Sequence, residues 1–286
     1  MKKITILCIA LCSLTLAQAQ RSEIGFFAGG AFYLGDINPS GVFAQIQAAG
    51  GAVYRYNLST RWAVRINGIY GYVRADDVRL DNPRNLGFRS SITELSAIAE
   101  FNFREYFTGS RTKYRFSPYL FGGVGVFFYN PQASYYDAIT EETSWVDLRP
   151  LSTEGQGLLD FPNRKMYSLA QIAIPFGLGF KYSLSKKIAI SLEWGMRKTF
   201  TDYIDDVSTT YVDPNILLAE IGQLAASLAD RSETPNAIGS ARGNSNTKDW
   251  YSFFGVMFTY KIEANTKRAC DAYQGAHVPN YQQDNF

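Results

Sequence analysis

Eight stretches of alternating residue character, each about ten residues or longer, run from Glu23 to Ile262, and the connectors between them alternate strictly between long and short. A chain of this kind closes most simply into an antiparallel barrel of even strand number with both ends on one side. The composition of the two faces decides what surrounds it. In the segment 168–184, one face reads Ala170, Ile172, Ile174, Phe176, Leu178, Phe180 and Tyr182, and the other Gln171, Ala173, Pro175, Gly177, Gly179 and Lys181. Gly and Lys cannot fill an apolar core, so the apolar face is expected to meet lipid, with small and polar residues lining a narrow lumen. The expected fold is all-β: an eight-stranded transmembrane barrel of the OmpA type, with long extracellular loops, a short loop helix and a periplasmic C-terminal tail.

The chain start sets the compartment. Met1-Lys2-Lys3 is a basic n-region, Ile4–Leu16 a short apolar stretch, and Ala17-Gln18-Ala19 a small-residue cleavage site. Residues 1–19 therefore read as a signal peptide, 20–262 as the barrel and 263–286 as the tail. The apolar stretch is too short to span a bilayer. Cys8 and Cys12 lie within it, each preceded by Leu (Leu7 and Leu11) where a lipoprotein cysteine needs a small residue. The 28 Lys and Arg fall to 26 once Lys2 and Lys3 are removed, equal to the 26 Asp and Glu. A neutral mature chain gives no support for nucleic-acid binding. The 39 Phe and Tyr residues (20 and 19) suit interfacial girdles, while a mean hydropathy of −0.15 fits lipid-facing residues at every second position only.

The alternation predicts strands over 23–34, 47–58, 61–73, 91–104, 115–130, 166–184, 187–200 and 249–262. Trp62, Val64, Ile66, Tyr70 and Tyr72 oppose Ala63, Arg65, Asn67 and Gly71. Leu95, Ala97, Ala99, Phe101 and Phe103 oppose Glu94, Ser96, Glu100, Asn102 and Arg104. The first and fifth strands are rich in Gly and leave their phase open. Ser59-Thr60, Ser185-Lys186 and a turn around Thr108-Gly109-Ser110 form the short side. Loops near 35–46, 74–90, 131–165 and 201–248 form the long side. In bacterial outer-membrane barrels short turns face the periplasm, which places both termini there.

The lumenal face collects Arg55, Arg65, Lys181 and Arg197 against Glu94, Glu100 and Glu193. Charges removed from water must pair, so these residues are expected to form an ion-pair plug rather than a solute pore. Enzymatic hydrolysis is disfavoured, because the sole histidine, His277, lies in the tail. No cofactor or small-molecule substrate is expected. Asp202, Asp205, Asp206 and Asp213 offer oxygens to a divalent cation but lack the spacing of a calcium loop, which favours solvated loop acids. Asp213-Pro214 reads as a helix cap, with Leu217, Ile221, Leu224 and Leu228 forming one stripe of a helix over about 214–229. That stripe either packs on the barrel rim or docks a partner. After signal removal only Cys270 remains, without an intrachain partner; it is either a free thiol or a link to another chain.

Three segments carry a resemblance. They are Tyr33-Leu34-Gly35-Asp36-Ile37-Asn38-Pro39, the run from Pro118 to Gly125 continued by Phe127-Phe128-Tyr129-Asn130-Pro131, and the run from Thr201 to Tyr211. Their order and spacing resemble the PorG family of Bacteroidetes outer-membrane barrels. That resemblance implies a component of the type IX secretion system, associated with a periplasmic ring built from a lipoprotein and a soluble subunit (PorK and PorN). It implies no catalytic residues. The alternative is a general OmpA-like surface barrel acting in adhesion or envelope integrity through its outer loops.

Overall fold

The computed structural model describes residues 22–77, 84–106, 115–137, 141–185 and 187–262. Among these residues nine strands form one antiparallel sheet: β1 (Ser22–Leu34), β2 (Gln47–Asn57), β3 (Trp62–Asp76), β4 (Gly87–Asn102), β5 (Phe116–Asp137), β6 (Glu142–Asp147), β7 (Ala170–Ser183), β8 (Ile188–Thr199) and β9 (Trp250–Ile262). Eight of them close a ring in the order β1-β2-β3-β4-β5-β7-β8-β9, with β9 returning to β1. The short β6 stands outside the ring and pairs with the far end of β5, Gln132–Asp137.

The register fixes the barrel's shape. Starting at Ser22 and crossing partner by partner through Tyr56, Val64, Ala99, Gly122, Phe176, Met196 and Ser252, the path returns to β1 at Phe32, ten residues from where it began. Eight strands with a stagger of ten tilt by roughly 40° and enclose an interior that side chains alone can fill.

Alternation decides the two faces. In β3 every odd residue from Ala63 to Ala75 is buried, while Trp62, Val64, Ile66, Tyr70 and Tyr72 are exposed. The outer wall stays apolar around the ring, with Val124 and Leu192 each 62% exposed and Ile172 57%. The lumen instead holds Arg55, Arg65, Glu94, Glu100, Lys181 and Arg197, all essentially inaccessible. A wall greasy outside and charged inside is the inverse of a soluble barrel and requires a lipid surround.

Several boundaries differ from expectation. β3 and β4 extend beyond the expected ends and pair as far as Asp76 and Gly87, so the connector between them is short; their last outward residues are polar and hide the strand signal. β5 continues to Asp137 above the apolar belt, where its pairing with β6 replaces part of the expected loop over 131–165. β7 begins at Ala170 rather than 166. The expected single helix is two short ones, α1 (Pro214–Glu220) and α2 (Gln223–Ala229), broken at Gly222 with φ of 126°. Asp213 caps α1 as its sequence suggests, accepting from the Asn215 amide at 2.8 Å.

Candidate functional site: a charged lumen beneath a loop cap

The interior is layered. Toward the short-turn end, Arg55 donates to Glu23 at 2.8 Å and to Glu100 at 2.9 Å. Arg65 reaches Glu100 at 3.1 Å and Glu193 at 2.6 Å, and Lys181 donates to Glu100 and to Asn102. Glu100 is thus the shared acceptor of three cations. One layer up, Arg197 donates to Glu94 at 3.0 Å, and the Tyr251 hydroxyl donates to the same carboxylate at 2.9 Å. Toward the long-loop end the lumen turns apolar, filled by Phe27, Ile69, Val73, Phe88, Ile92, Phe127, Tyr129 and Phe253, while the Met257 sulfur stays among the charges at 3.4 Å from Arg55 and Arg65. The seven lumenal charges anticipated from sequence therefore meet in two clusters, one around Glu100 and one around Glu94.

Sequence reasoning missed Glu23, Lys261 and the tyrosines that complete the network. Glu23 lies directly across from Arg55 on one side and Lys261 on the other. It escaped because Gly25 and Gly29 blur the phase of β1. Lys261 was legible in principle, since it shares the inward phase of Thr259 and Met257 on a strand whose other face reads Val256, Phe258, Tyr260 and Ile262. Tyr119 donates to Glu193 at 2.7 Å, and its ring lies 4.4 Å from the Lys181 ammonium. Tyr106, beyond the end of β4, folds back over the short-turn mouth and stacks at 5.0 Å over both Lys181 and Lys261. Its backbone amide is tied to Thr60 at 2.8 Å, which joins two turns beneath the barrel.

The long-loop end carries a cap with its own core. Leu217, Ala225 and Ala229 of the two helices pack with Leu151, Leu158 and Phe161, and Leu228 packs with Ala133 and Leu148. The helical stripe is thus covered by the other long loop and does not lie open. Glu154 is the polar hub. It accepts from the amides of Ser208 (2.9 Å) and Thr209 (3.0 Å), the Thr209 hydroxyl (2.6 Å) and Arg242 (3.0 Å). Arg242 also donates to the carbonyls of Ala229 and Asp206, so one buried ion pair binds both long loops together.

The loop acids take separate posts. Asp202 accepts from Ser208 at 2.7 Å, and Asp206 from Tyr167 at 2.7 Å and from Thr153. Asp205 and Asp249 both accept from the single Tyr33 hydroxyl, at 2.6 and 2.7 Å. Burial pushes the Asp202 and Asp206 carboxyls up to about 6. Burial, with the two acids beside each other, carries Asp205 well above the usual carboxylate range, and Asp249 rises with it. The Asp249 charge opposes ionisation of Asp205, and both carboxyls compete for the one phenol proton. Among the described residues no three His, Cys, Asp or Glu side chains are placed to hold a metal ion. Cys270 and His277 lie outside the described residues.

A closed, lipid-facing wall of eight strands around a charged lumen defines a transmembrane β-barrel of the outer-membrane type. Residues 2–149, just over half of the chain, match the family described as a domain of unknown function, DUF6089, and the chain belongs to that family. Among solved structures, the attachment invasion locus protein Ail of Yersinia pestis, in complex with the heparin analogue sucrose octasulfate, is 8% identical, with 85% of this chain and 99% of that one covered at a TM-score of 0.38. Neisserial surface protein A is 8% identical over 84% and 97%, with a TM-score of 0.40. The N-terminal barrel domain of Pseudomonas aeruginosa OprF is 12% identical over 85% and 99%, with a TM-score of 0.32. No match was found among curated proteins.

Proposed function

We propose that this chain is a non-enzymatic rivet of the outer membrane, a component of a type IX secretion system that anchors a periplasmic ring. The observation that carries the rivet reading is the lumen: its acids are all paired with bases, and aromatic side chains fill the space above them. Such a barrel offers no path for a solute, so its work lies at its ends. The secretion role rests on the resemblance to the PorG family. In this reading residues 1–19 direct export, both termini face the periplasm, and the tail over 263–286 meets a lipoprotein and soluble subunit of the PorK and PorN kind. Cys270 is the proposed covalent contact.

Crosslinking at Cys270 followed by identification of the attached chain tests the partner, with Cys270→Ser as control. A band on non-reducing gels that reductant does not change removes the disulfide. Normal secretion of every cargo protein in a strain lacking the gene refutes the secretion role.

The loop cap supports a second reading, an OmpA-like surface barrel acting in adhesion or envelope integrity. A buried ion pair and a separate apolar core give the two long loops a fixed outer surface, on which Leu159 (97% exposed) and Ile238 (64%) protrude. Replacing both by Ser and finding lost adhesion with intact secretion favours this reading over the first.

A further inference from the structure

At the long-loop rim, β3 and β4 set two like charges face to face. Arg74 and Arg89 are directly paired across the strands, both on the outward face, one step above the girdle residues Tyr70 and Tyr72. Opposed like charges on one sheet face repel and are selected against unless something offsets them. The ring of Trp145 on β6 lies over both, 4.0 Å from the Arg89 guanidinium and 5.9 Å from that of Arg74. A third guanidinium, Arg231, enters from the chain just beyond α2 and lines the same small cavity of about 150 Å³, together with Arg74, Asp76, Asn85, Ser134 and Trp145.

The carboxylate supply is short. Asp76 is the one acid in that lining, and its contact with Arg74 is long at 3.7 Å. Arg89 is held by a neutral partner, Gln132, at 2.9 Å. Among the described residues neither Arg89 nor Arg231 forms an ion pair. Burial depresses the Arg231 pKa, and the Asp76 carboxylate nearby offsets part of that shift. Arg74 and Arg231 line this pocket with the Ser134 hydroxyl and one carboxylate, and Arg89 flanks it on the face of the lining Trp145 ring. The pocket is rich in donors and short of an oxyanion. Planar forks of this kind match phosphate oxygens two at a time.

We propose that this pocket binds a phosphate-type oxyanion, and that the headgroup of an anionic lipid lying against the barrel supplies it. Position argues for the lipid source. On β3 the outward residues run Ile66, Tyr70, Tyr72, Arg74, and on β5 they run Val124, Val126, Phe128, Asn130, Gln132. The aromatic band ends at Tyr72 on β3, one step below Arg74, and at Phe128 on β5, two steps below Gln132, the residue that pairs with Arg89. On β4 the outward Ser91 and Thr93 already lie above it, so the arginines stand in the polar zone just past the apolar edge, where lipid phosphates lie. Trp145 is the interfacial aromatic that such a headgroup would meet.

The refolded barrel is reconstituted in nanodiscs of phosphatidylcholine alone or with phosphatidic acid, and lipid retention is read by native mass spectrometry. A parallel arm titrates inorganic phosphate against the barrel in neutral detergent, following Trp145 emission by difference from W145F. The wild-type chain is expected to retain phosphatidic acid about tenfold or more over phosphatidylcholine, and the R89Q/R231Q variant to lose that preference. D76N, which removes the competing carboxylate, is expected to strengthen it. Preference in the nanodisc arm without response to free phosphate assigns the site to lipid. Saturable response to free phosphate that R89Q/R231Q abolishes, with no lipid preference, keeps the oxyanion site and refutes its lipid source. Equal retention by wild type, R89Q/R231Q and D76N, with no phosphate response, overturns the proposal. Unchanged heat-modifiable mobility on gels verifies that each variant is folded.

Discussion

Glu100 accepts from Arg55, Arg65 and Lys181 at once, inside a wall that admits no compensating solvent. Its neutral isostere would keep the shape and leave three cations with Glu23 and Glu193 alone. Glu100→Gln is expected to cost about 3–5 kcal/mol, the range for breaking a buried pair. Urea unfolding in detergent micelles, followed by tryptophan emission, measures it; a loss under 1 kcal/mol would mean the network is solvated. The cap behaves oppositely with pH. Asp206 titrates near 6 when folded and near the ordinary value of about 4 when unfolded, so between these values the folded cap holds the extra proton. Its stability is full below about pH 4 and falls as pH rises through about 6, by roughly 3 kcal/mol from this group. Hydrogen exchange of amides in 200–249, corrected for intrinsic rates, should quicken across that window, and Asp206→Asn should flatten the trend. At this scale the lumenal charges were legible because each sits in phase with small residues on a strand whose other face is apolar. Glu23 was not, because glycines give no phase. The posts taken by the loop acids were invisible, since Tyr33, Tyr167 and Thr153 reach them from distant parts of the chain.

Among the elements, the break between α1 and α2 tests how far a hydrophobic stripe specifies a helix. Leu217, Ile221, Leu224 and Leu228 fit one continuous helix, yet Gly222 interrupts it with φ of 126° and ψ of 178°. That conformation is open to glycine alone, and a Cβ there would touch nothing within 4 Å. Gly222→Ala therefore carries a purely conformational penalty of about 1–3 kcal/mol, falling on the cap. Protease nicking within 203–247 should rise while the strands keep their heat-modifiable mobility; equal protection would show that a straightened helix fits the same site. Strands were easier to read than this helix pair. A two-residue period persists wherever lipid and lumen both select side chains. Above the apolar belt that selection ends, so the top of β5 and all of β6 carry no such signature.

The whole molecule is a tube blocked in three ways. Tyr106 closes the short-turn mouth, the ion pairs fill the layer above it, and aromatic and aliphatic side chains occupy the space beneath the cap. A stagger of ten on eight strands leaves no annulus around them. Proteoliposomes containing the wild-type barrel should therefore show no swelling in sugar solutions and no steady conductance in planar bilayers. Removing the stopper alone, by Tyr106→Ala, should leave both readouts unchanged, because the layers above still fill the lumen. Opening requires the ion-pair layer and the aromatic layer together. Combining Glu94→Ala and Arg197→Ala with Phe127→Ala and Phe253→Ala removes one charged pair and two rings near the same level, where Arg197 stacks 4.7 Å from Phe253. That variant, if it inserts, should conduct small ions while the single changes do not. Conductance by the wild-type chain would instead mean that the ion pairs exchange partners to open a path, and the barrel would then be a gated channel and not a rivet.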